Sequence, residues 1–158
     1  MRPYRVKPYT VPSWIHRALL SLRPAERLPV SKWAEKWRVL PDTNAIPGPF
    51  RNSVTPYLAE IMDAFSNEVE RIVFVKPTQV GGTTALENML ASAIDQDPAP
   101  TMIVYPSKEL AERTVEAKLE PMIRQCKPLA AKYREAESQK LKLKFETMFV
   151  FLSGRSEE

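Results

Sequence analysis

The sequence predicts an α/β fold in which a parallel sheet is flanked by helices, and three observations predict it. An apolar, β-branched run, Arg71-Ile72-Val73-Phe74-Val75-Lys76, leads through a bend with two adjacent glycines into a helical pattern built on Ala85, Leu86, Met89, Leu90 and Ala93. A second apolar run, Thr101 to Tyr105, follows Pro98 and Pro100, and a long amphipathic pattern comes after it. Strand, helix, strand, helix is the order of a right-handed βαβ unit, whose strands are parallel. A chain of 158 residues with 44% apolar residues suffices for one modest domain or for part of a larger one.

Taken in order, residues 1–13 are punctuated by proline and read as extended. Trp14 to Leu22 has the spacing of a short helix ended by Pro24. A second helix is expected after Pro29, with Ser31 as its cap, running to about Val39. From Pro41 to Pro56 the chain carries Pro41, Pro47, Gly48, Pro49 and Pro56 and reads as loop, the boundary between a short helical N-terminal region, residues 1–46, and a core, residues 47–158. Tyr57, Leu58, Ile61, Met62 and Phe65 fall at helical spacing. The strand Arg71 to Lys76 comes next, then a helix from Thr83 to Ile94, the strand Thr101 to Tyr105, and a long helix capped by Ser107 that runs to about Gln125 with a kink or break at Pro121. Leu141 to Phe145 alternates with lysines and Phe149 to Leu152 is apolar, which predicts an antiparallel hairpin turning at Glu146-Thr147.

Charge is uneven along the chain. The net formal charge is +4, but residues 1–40 alone sum to +7 and the remainder to −3. A basic region interleaved with Tyr4, Tyr9, Trp14, Trp33 and Trp37 can lie on nucleic acid, with phosphates neutralised and bases stacked. It can equally dock an acidic protein. The plainer alternative is a solubilising helix whose aromatics pack on the core, because Trp33, Trp37 and Leu40, at i, i+4 and i+7, share one helix face. No apolar run approaches the roughly 20 residues that cross a bilayer, and the first residues lack a signal peptide's apolar segment, so a cytoplasmic protein is expected. Cys126 is the single cysteine, which excludes an internal disulfide and a cysteine-based zinc site and suits a small buried residue on a helix.

The bend between strand and helix carries the chemistry. A phosphate-binding loop of pattern G-x-x-x-x-G-K-[ST] aims backbone N–H groups and a lysine at phosphates and places a hydroxyl on Mg²⁺. Aligning Gly81-Gly82-Thr83 on its end puts Gly82 in the lysine slot and Thr83 in the metal-ligating place, while the first glycine falls on Lys76. The nearby ammonium is therefore at the loop's entrance, on a stem long and flexible enough to reach across it. A helix capped by Thr83 or Thr84 after a glycine turn, with no ligand, is the alternative.

Lys76-Pro77-Thr78-Gln79-Val80-Gly81-Gly82-Thr83 resembles the deviant phosphate loop of the large subunit of lambda-like (GpA) phage terminases, the ATP-driven motors that cut and package viral DNA. Trp33-Ala34-Glu35-Lys36-Trp37-Arg38, Pro47-Gly48-Pro49-Phe50-Arg51, Thr55 to Phe65 and Thr101 to Ser107 are also similar to that family, so the resemblance runs from about Trp33 to Leu152. It implies a P-loop NTPase-type sheet, ATP and Mg²⁺ as ligands, and a phosphate cradle of Lys76, Thr78, Gln79, Gly81, Gly82, Thr83 and Thr84, with Thr83 on the metal. Pro56 and Tyr57 stand where relatives place an adenine-contacting segment, although Tyr57 also suits the core face of its helix. Double-stranded DNA and a small terminase subunit, docked through the N-terminal region, are the implied partners. Relatives continue to a Walker B strand ending in Asp-Glu and then to a nuclease domain, yet residues 98–158 contain no aspartate. The chain thus reads as an N-terminal ATPase piece of a terminase, truncated before Walker B, with catalytic residues unassigned, no portal contact and no turnover expected on its own. Two further readings stay open: a DNA-binding or docking module with a vestigial loop, and a prophage remnant without function. A helicase fits the fold but is disfavoured by Gly82 and by the long match.

Overall fold

A computed structural model of the chain describes residues 12, 14–15, 27–42, 44–65 and 68–154. The helix α1 (Val30–Trp37) leads into a two-stranded antiparallel ribbon, β1 (Val39–Leu40) with β2 (Gly48–Pro49), and then α2 (Tyr57–Asp63) and α3 (Gly82–Gln96). After β3 (Thr101–Tyr105) a helical run passes from α4 (Lys108–Thr114) through a π-helical turn (Val115–Leu119) into α5 (Glu120–Gln125). A further helix, α6 (Lys127–Lys132), a 3₁₀ turn (Glu135–Glu137) and the strands β4 (Lys142–Lys144) and β5 (Phe149–Gly154) complete the described chain.

The molecule is α/β, but its sheet is small and mixed. In the order β3-β5-β4, β3 runs parallel to β5, with Ile103 opposite Leu152, and β4 runs antiparallel to β5, with Leu143 opposite Val150. The hairpin expected from residues 141–152 is therefore present. The strand expected over Arg71–Lys76 is not: those residues are outside any ladder, and Val73 and Val75 are 75% and 92% exposed. Its β-branched composition supplies propensity, but a strand is stabilised by cross-strand pairing and burial, which no local pattern provides. β3 takes its parallel partner from β5 instead, and its other edge carries no partner among the described residues.

The core gathers around α3, whose Ala85, Met89, Leu90, Ala91 and Ile94 are buried against α1, α2 and α6. Trp33, 1% exposed, sits in that core, and its indole Nε1 donates to Asp95 Oδ2 at 2.8 Å. Its aromatic face is thus committed to packing, and Trp37 is likewise packed against the core. Ser31 does not cap α1 as expected. Pro29 takes that place, and the Ser31 N–H and hydroxyl both donate to Asp63 of α2, at 2.8 and 2.7 Å. A carboxylate from the neighbouring helix satisfies an otherwise orphaned donor more strongly than a neutral hydroxyl does.

Downstream, the Ser107 hydroxyl accepts from Leu110 N at 3.2 Å and caps α4, as the sequence suggests. Pro121 does not break the helical run. The π turn before it widens the winding where proline can supply no N–H, so the helix continues into α5. The helix α6 has Pro128 in its first turn, a position that tolerates proline because the N–H there has no helical acceptor. Between α5 and α6, Cys126 is fully buried, and burial, reinforced by the Asp95 charge, pushes its thiol up to about 11. At the end of β5, a Cβ on Gly154 would overlap the backbone of Ser107 and Lys108, so strand and helix start meet main chain to main chain. Among the described residues no helix is long and apolar enough to cross a membrane.

Candidate functional site

The bend from Lys76 to Thr84 combines three kinds of unmet bonding capacity. Gly81 adopts a left-handed conformation, φ 76°, at the N-cap of α3, and its carbonyl accepts the first helical bond from Ala85 N at 2.9 Å. The N–H groups of Gly82, Thr83 and Thr84 precede that first bond, and among the described residues no side chain caps them. The helix is fifteen residues long with no acidic residue in its first turn, so its positive dipole end is not offset locally. Thr83 is exposed and Thr84 half-buried.

Lys76 reaches this helix start. A Cβ built on Gly82 would collide with Cδ and Cε of Lys76 and stand 3.3 Å from its Nζ, so the lysine stem lies across the glycine. Glycine in the usual lysine slot leaves the space through which the displaced lysine passes. Thr78 and Gln79 form the exposed turn between them, and Gln79 has φ 60°, a left-handed conformation that costs a side-chain-bearing residue roughly 1 kcal/mol. A residue held there marks a backbone shaped by its surroundings. The turn is tethered from behind, because the Tyr57 hydroxyl donates to the Val80 carbonyl at 3.1 Å.

Next to the loop is a cavity of about 250 Å³, walled by Ile46, Pro47, Pro49, Arg51 and Val54 and closed on the loop side by Gly81 and Thr84. Its lining is mainly apolar with one guanidinium. Pockets that engulf a drug-sized ligand measure about 300–1,000 Å³, so this one suits a planar base better than a whole nucleotide. Pro56 and Tyr57 do not line it. Residues 46–54 form most of its wall, and in the sequence they stand out as a proline-rich stretch that contains one of the segments resembling the family. A second cleft, about 620 Å³, lies between residues 69–76 and β3, floored by α3 residues including Leu86 and Met89, with Lys76 and Gly82 at one end.

The site residues fit a nucleoside triphosphate. Free amides at an uncapped helix start, a lysine within the same turn and an adjoining apolar cavity match the phosphates and the base respectively. Mg²⁺ keeps several waters and needs only one or two protein ligands beside phosphate oxygens, so the exposed Thr83 hydroxyl is compatible with it. No group of three or more metal-ligating side chains is present among the described residues.

Behind the loop lies an interaction that sequence reasoning missed. Arg38, 3% exposed, places its terminal nitrogen 2.7 Å from Glu87 Oε2 and its Nε 3.3 Å from Asn88 Oδ1, both on α3. The sequence signal was available only as an arginine closing a helix, with nothing to show its partners.

The basic residues of the N-terminal region divide in two. Arg2, Arg5, Lys7, Arg17 and Arg23, with Tyr4 and Tyr9, lie outside the described residues. Arg27 pairs with Asp97 at 3.6 Å, Lys32 with Glu35 at 3.7 Å, and Lys36 lies 5.3 Å from the Trp37 ring.

Comparison with curated proteins gives no match. The family described as phage terminase large subunit gpA, ATPase domain, matches residues 44–156, well over half of the chain, and the match includes the loop and every residue lining its cavity except Leu40. On the strength of that match, the chain belongs to the phage terminase large subunit gpA ATPase-domain family.

Proposed function

We propose that this chain binds ATP with Mg²⁺ through a P-loop-type turn, as the N-terminal ATPase portion of a DNA-packaging terminase, and that alone it does not turn ATP over. The observation that carries the reading is the path of Lys76 across Gly82 at the start of an uncapped fifteen-residue helix. Lys76, Thr78, Gln79, Gly81, Gly82, Thr83 and Thr84 form the phosphate cradle, Thr83 contributes its hydroxyl to the metal, and the cavity beside Gly81 takes the base. Bound Mg²⁺ supplies charge neutralisation on the phosphates. The chain's own residues supply orientation: backbone N–H groups fix the phosphate oxygens, and the Lys76 ammonium adds a mobile positive charge. An acidic residue on a second strand, which would hold the metal and complete hydrolysis, has no aspartate candidate in residues 98–158.

Within the family, double-stranded DNA and a small terminase subunit are the natural partners, with residues 1–46 as the docking region. Contact with the capsid portal is not expected of this stretch. Of the described basic residues in this region only Arg38 is buried in an ion pair, while Arg27 and Lys32 lie in exposed pairs and Lys36 lies beside the Trp37 ring, so a DNA-binding reading would draw on exposed lysine and arginine rather than on Arg38.

Titration with a fluorescent ATP analogue and Mg²⁺ tests the proposal. Saturable binding that weakens at least about tenfold in Lys76→Ala, roughly 1.4 kcal/mol, is expected. Binding of DNA that is salt-sensitive and indifferent to Lys76, with no nucleotide binding by the folded chain, would favour the docking module instead. Mg²⁺-dependent hydrolysis by the purified chain, abolished by Lys76→Ala, would overturn the claim of inactivity.

A further inference from the structure

We infer that Arg38 is a positioning residue for the nucleotide: its buried contacts with Glu87 and Asn88 set the spacing between the wall of the base cavity and the phosphate loop. The inference rests on the phosphate-loop reading above and concerns a residue that touches neither base nor phosphate.

The main chain of Arg38 belongs to the cavity wall. Its N–H donates to Ala34 O at 2.9 Å and ends α1, and its carbonyl accepts from Phe50 N at 3.0 Å, extending the β1–β2 ribbon by one bond. That ribbon carries Leu40, Pro49 and Phe50, which line the cavity. The side chain belongs to the other wall. It bonds Glu87 and Asn88, which lie one helical turn beyond Thr83 and Thr84 on the same faces of α3. One residue therefore spans from the ribbon to the helix that begins with the loop. The fork geometry of a guanidinium fixes two acceptors at once, so it transmits orientation as well as distance. Asn88, fully buried, is itself tied to α2 through a 3.5 Å contact from its Nδ2 to Met62 Sδ, which leaves the acceptor side of the amide facing Arg38.

Energetics favour a geometric role over a stabilising one. Burial lowers the Arg38 pKa and raises that of Glu87, in each case against the pull of the partner's charge. Both shifts oppose ionisation, so desolvation exceeds what the pair returns. A buried ion pair of this kind is commonly replaceable by apolar side chains without loss of stability. What the apolar replacement loses is the two-point grip.

The experiment compares two probes on the full chain: ATP, which would engage loop and cavity, and inorganic tripolyphosphate, which would engage the loop alone. The parent is expected to prefer ATP. In the double variant Arg38→Met with Glu87→Met, the chain should stay folded with a melting temperature lowered only by the unmet Asn88 acceptor, tripolyphosphate affinity should be unchanged within about twofold, and ATP affinity should fall about tenfold, one decade of Kd. Arg38→Lys, which keeps the charge without the fork, should show the same selective loss in smaller measure. Equal loss of both probes, or undiminished ATP binding in a folded double variant, overturns the positioning role while leaving the phosphate loop intact. A parent that binds neither probe overturns the phosphate-loop reading and this inference with it.

Discussion

At its C-terminal end α3 is bound from three directions, whereas at its N-terminal end it meets strained loop and unpaired amides. Asp95 accepts from the Trp33 indole at 2.8 Å and from Lys132 Nζ at 2.7 Å, joining α1, α3 and α6. The next residue, Gln96, accepts from Leu28 N at 2.7 Å and donates to Leu28 O at 2.9 Å, pairing with that peptide as a neighbouring strand would. At the opposite end the backbone turns through two left-handed residues, Gln79 and Gly81, without a capping side chain. The difference separates two tasks within one helix. Fixing the rear supplies the stability that allows the front to keep donors unsatisfied, and unsatisfied donors held rigidly are what an anion recognises.

This division predicts that substitutions at the rear act on stability and those at the front on binding. The largest effect belongs to Trp33→Ala, which empties a core position and leaves Asp95 with Lys132 as its remaining partner. A loss of about 3–5 kcal/mol, typical of deleting a buried aromatic, should appear in chemical denaturation. A Trp33→Ala protein as stable as its parent would break the comparison outright. At the front, Gly82→Ala should change stability by less than about 1 kcal/mol, the usual scale of Gly-to-Ala exchange in a helix. Its Cβ, however, would push the Lys76 stem aside and weaken ATP binding in calorimetry. Retained affinity would mean that the crossing of Lys76 over Gly82 contributes nothing.

Two smaller effects sharpen the contrast. Gln79→Gly removes the left-handed penalty and should raise stability by less than about 1 kcal/mol, since the strain relieved is offset by the added freedom of the unfolded chain. The same exchange should slightly weaken nucleotide binding, because a looser turn presents its amides less well. At the rear, Cys126 offers a pH signature. The unfolded thiol ionises near the ordinary value and the folded one only near about 11, so its contribution is intact below the ordinary thiol pKa and declines as pH rises towards that point. Melting curves across this alkaline range should lose their downward slope, in part, in Cys126→Ala.

The helix expected over Thr83–Ile94 and found over Gly82–Gln96, the strand Thr101–Tyr105, the Ser107 cap and the closing hairpin were legible in the sequence, because each rests on a local pattern: apolar spacing, a hydroxyl before a helix, or alternation. What it concealed depends on partners distant in the chain. Ile72, Val73 and Val75 have strand propensity, but nothing in their own segment says that β3 pairs with β5 instead. Ser31 looks like a cap until Asp63, 32 residues away, takes both of its donors. Arg38 is one basic residue among nine in its region, and only folding shows that it is buried on α3. The candidate site divides along the same line. Lys76, Gly81, Gly82 and Thr83 are contiguous enough to be named from spacing, and the apolar cavity beside them is not, since neither proline content nor family likeness tells which residues fold together to wall it.

The glycine that ends β5 also has an evolutionary reading. Because main chain lies against main chain where Gly154 meets Ser107 and Lys108, that position admits a single amino acid out of twenty, and neighbouring side chains cannot adjust to accept another. Gly82 differs: it faces only the movable stem of Lys76, so the fold tolerates a larger residue there. The fold alone leaves the second glycine of the bend open to change, at the cost of moving Lys76, but holds the chain to one letter at the edge where strand and helix touch.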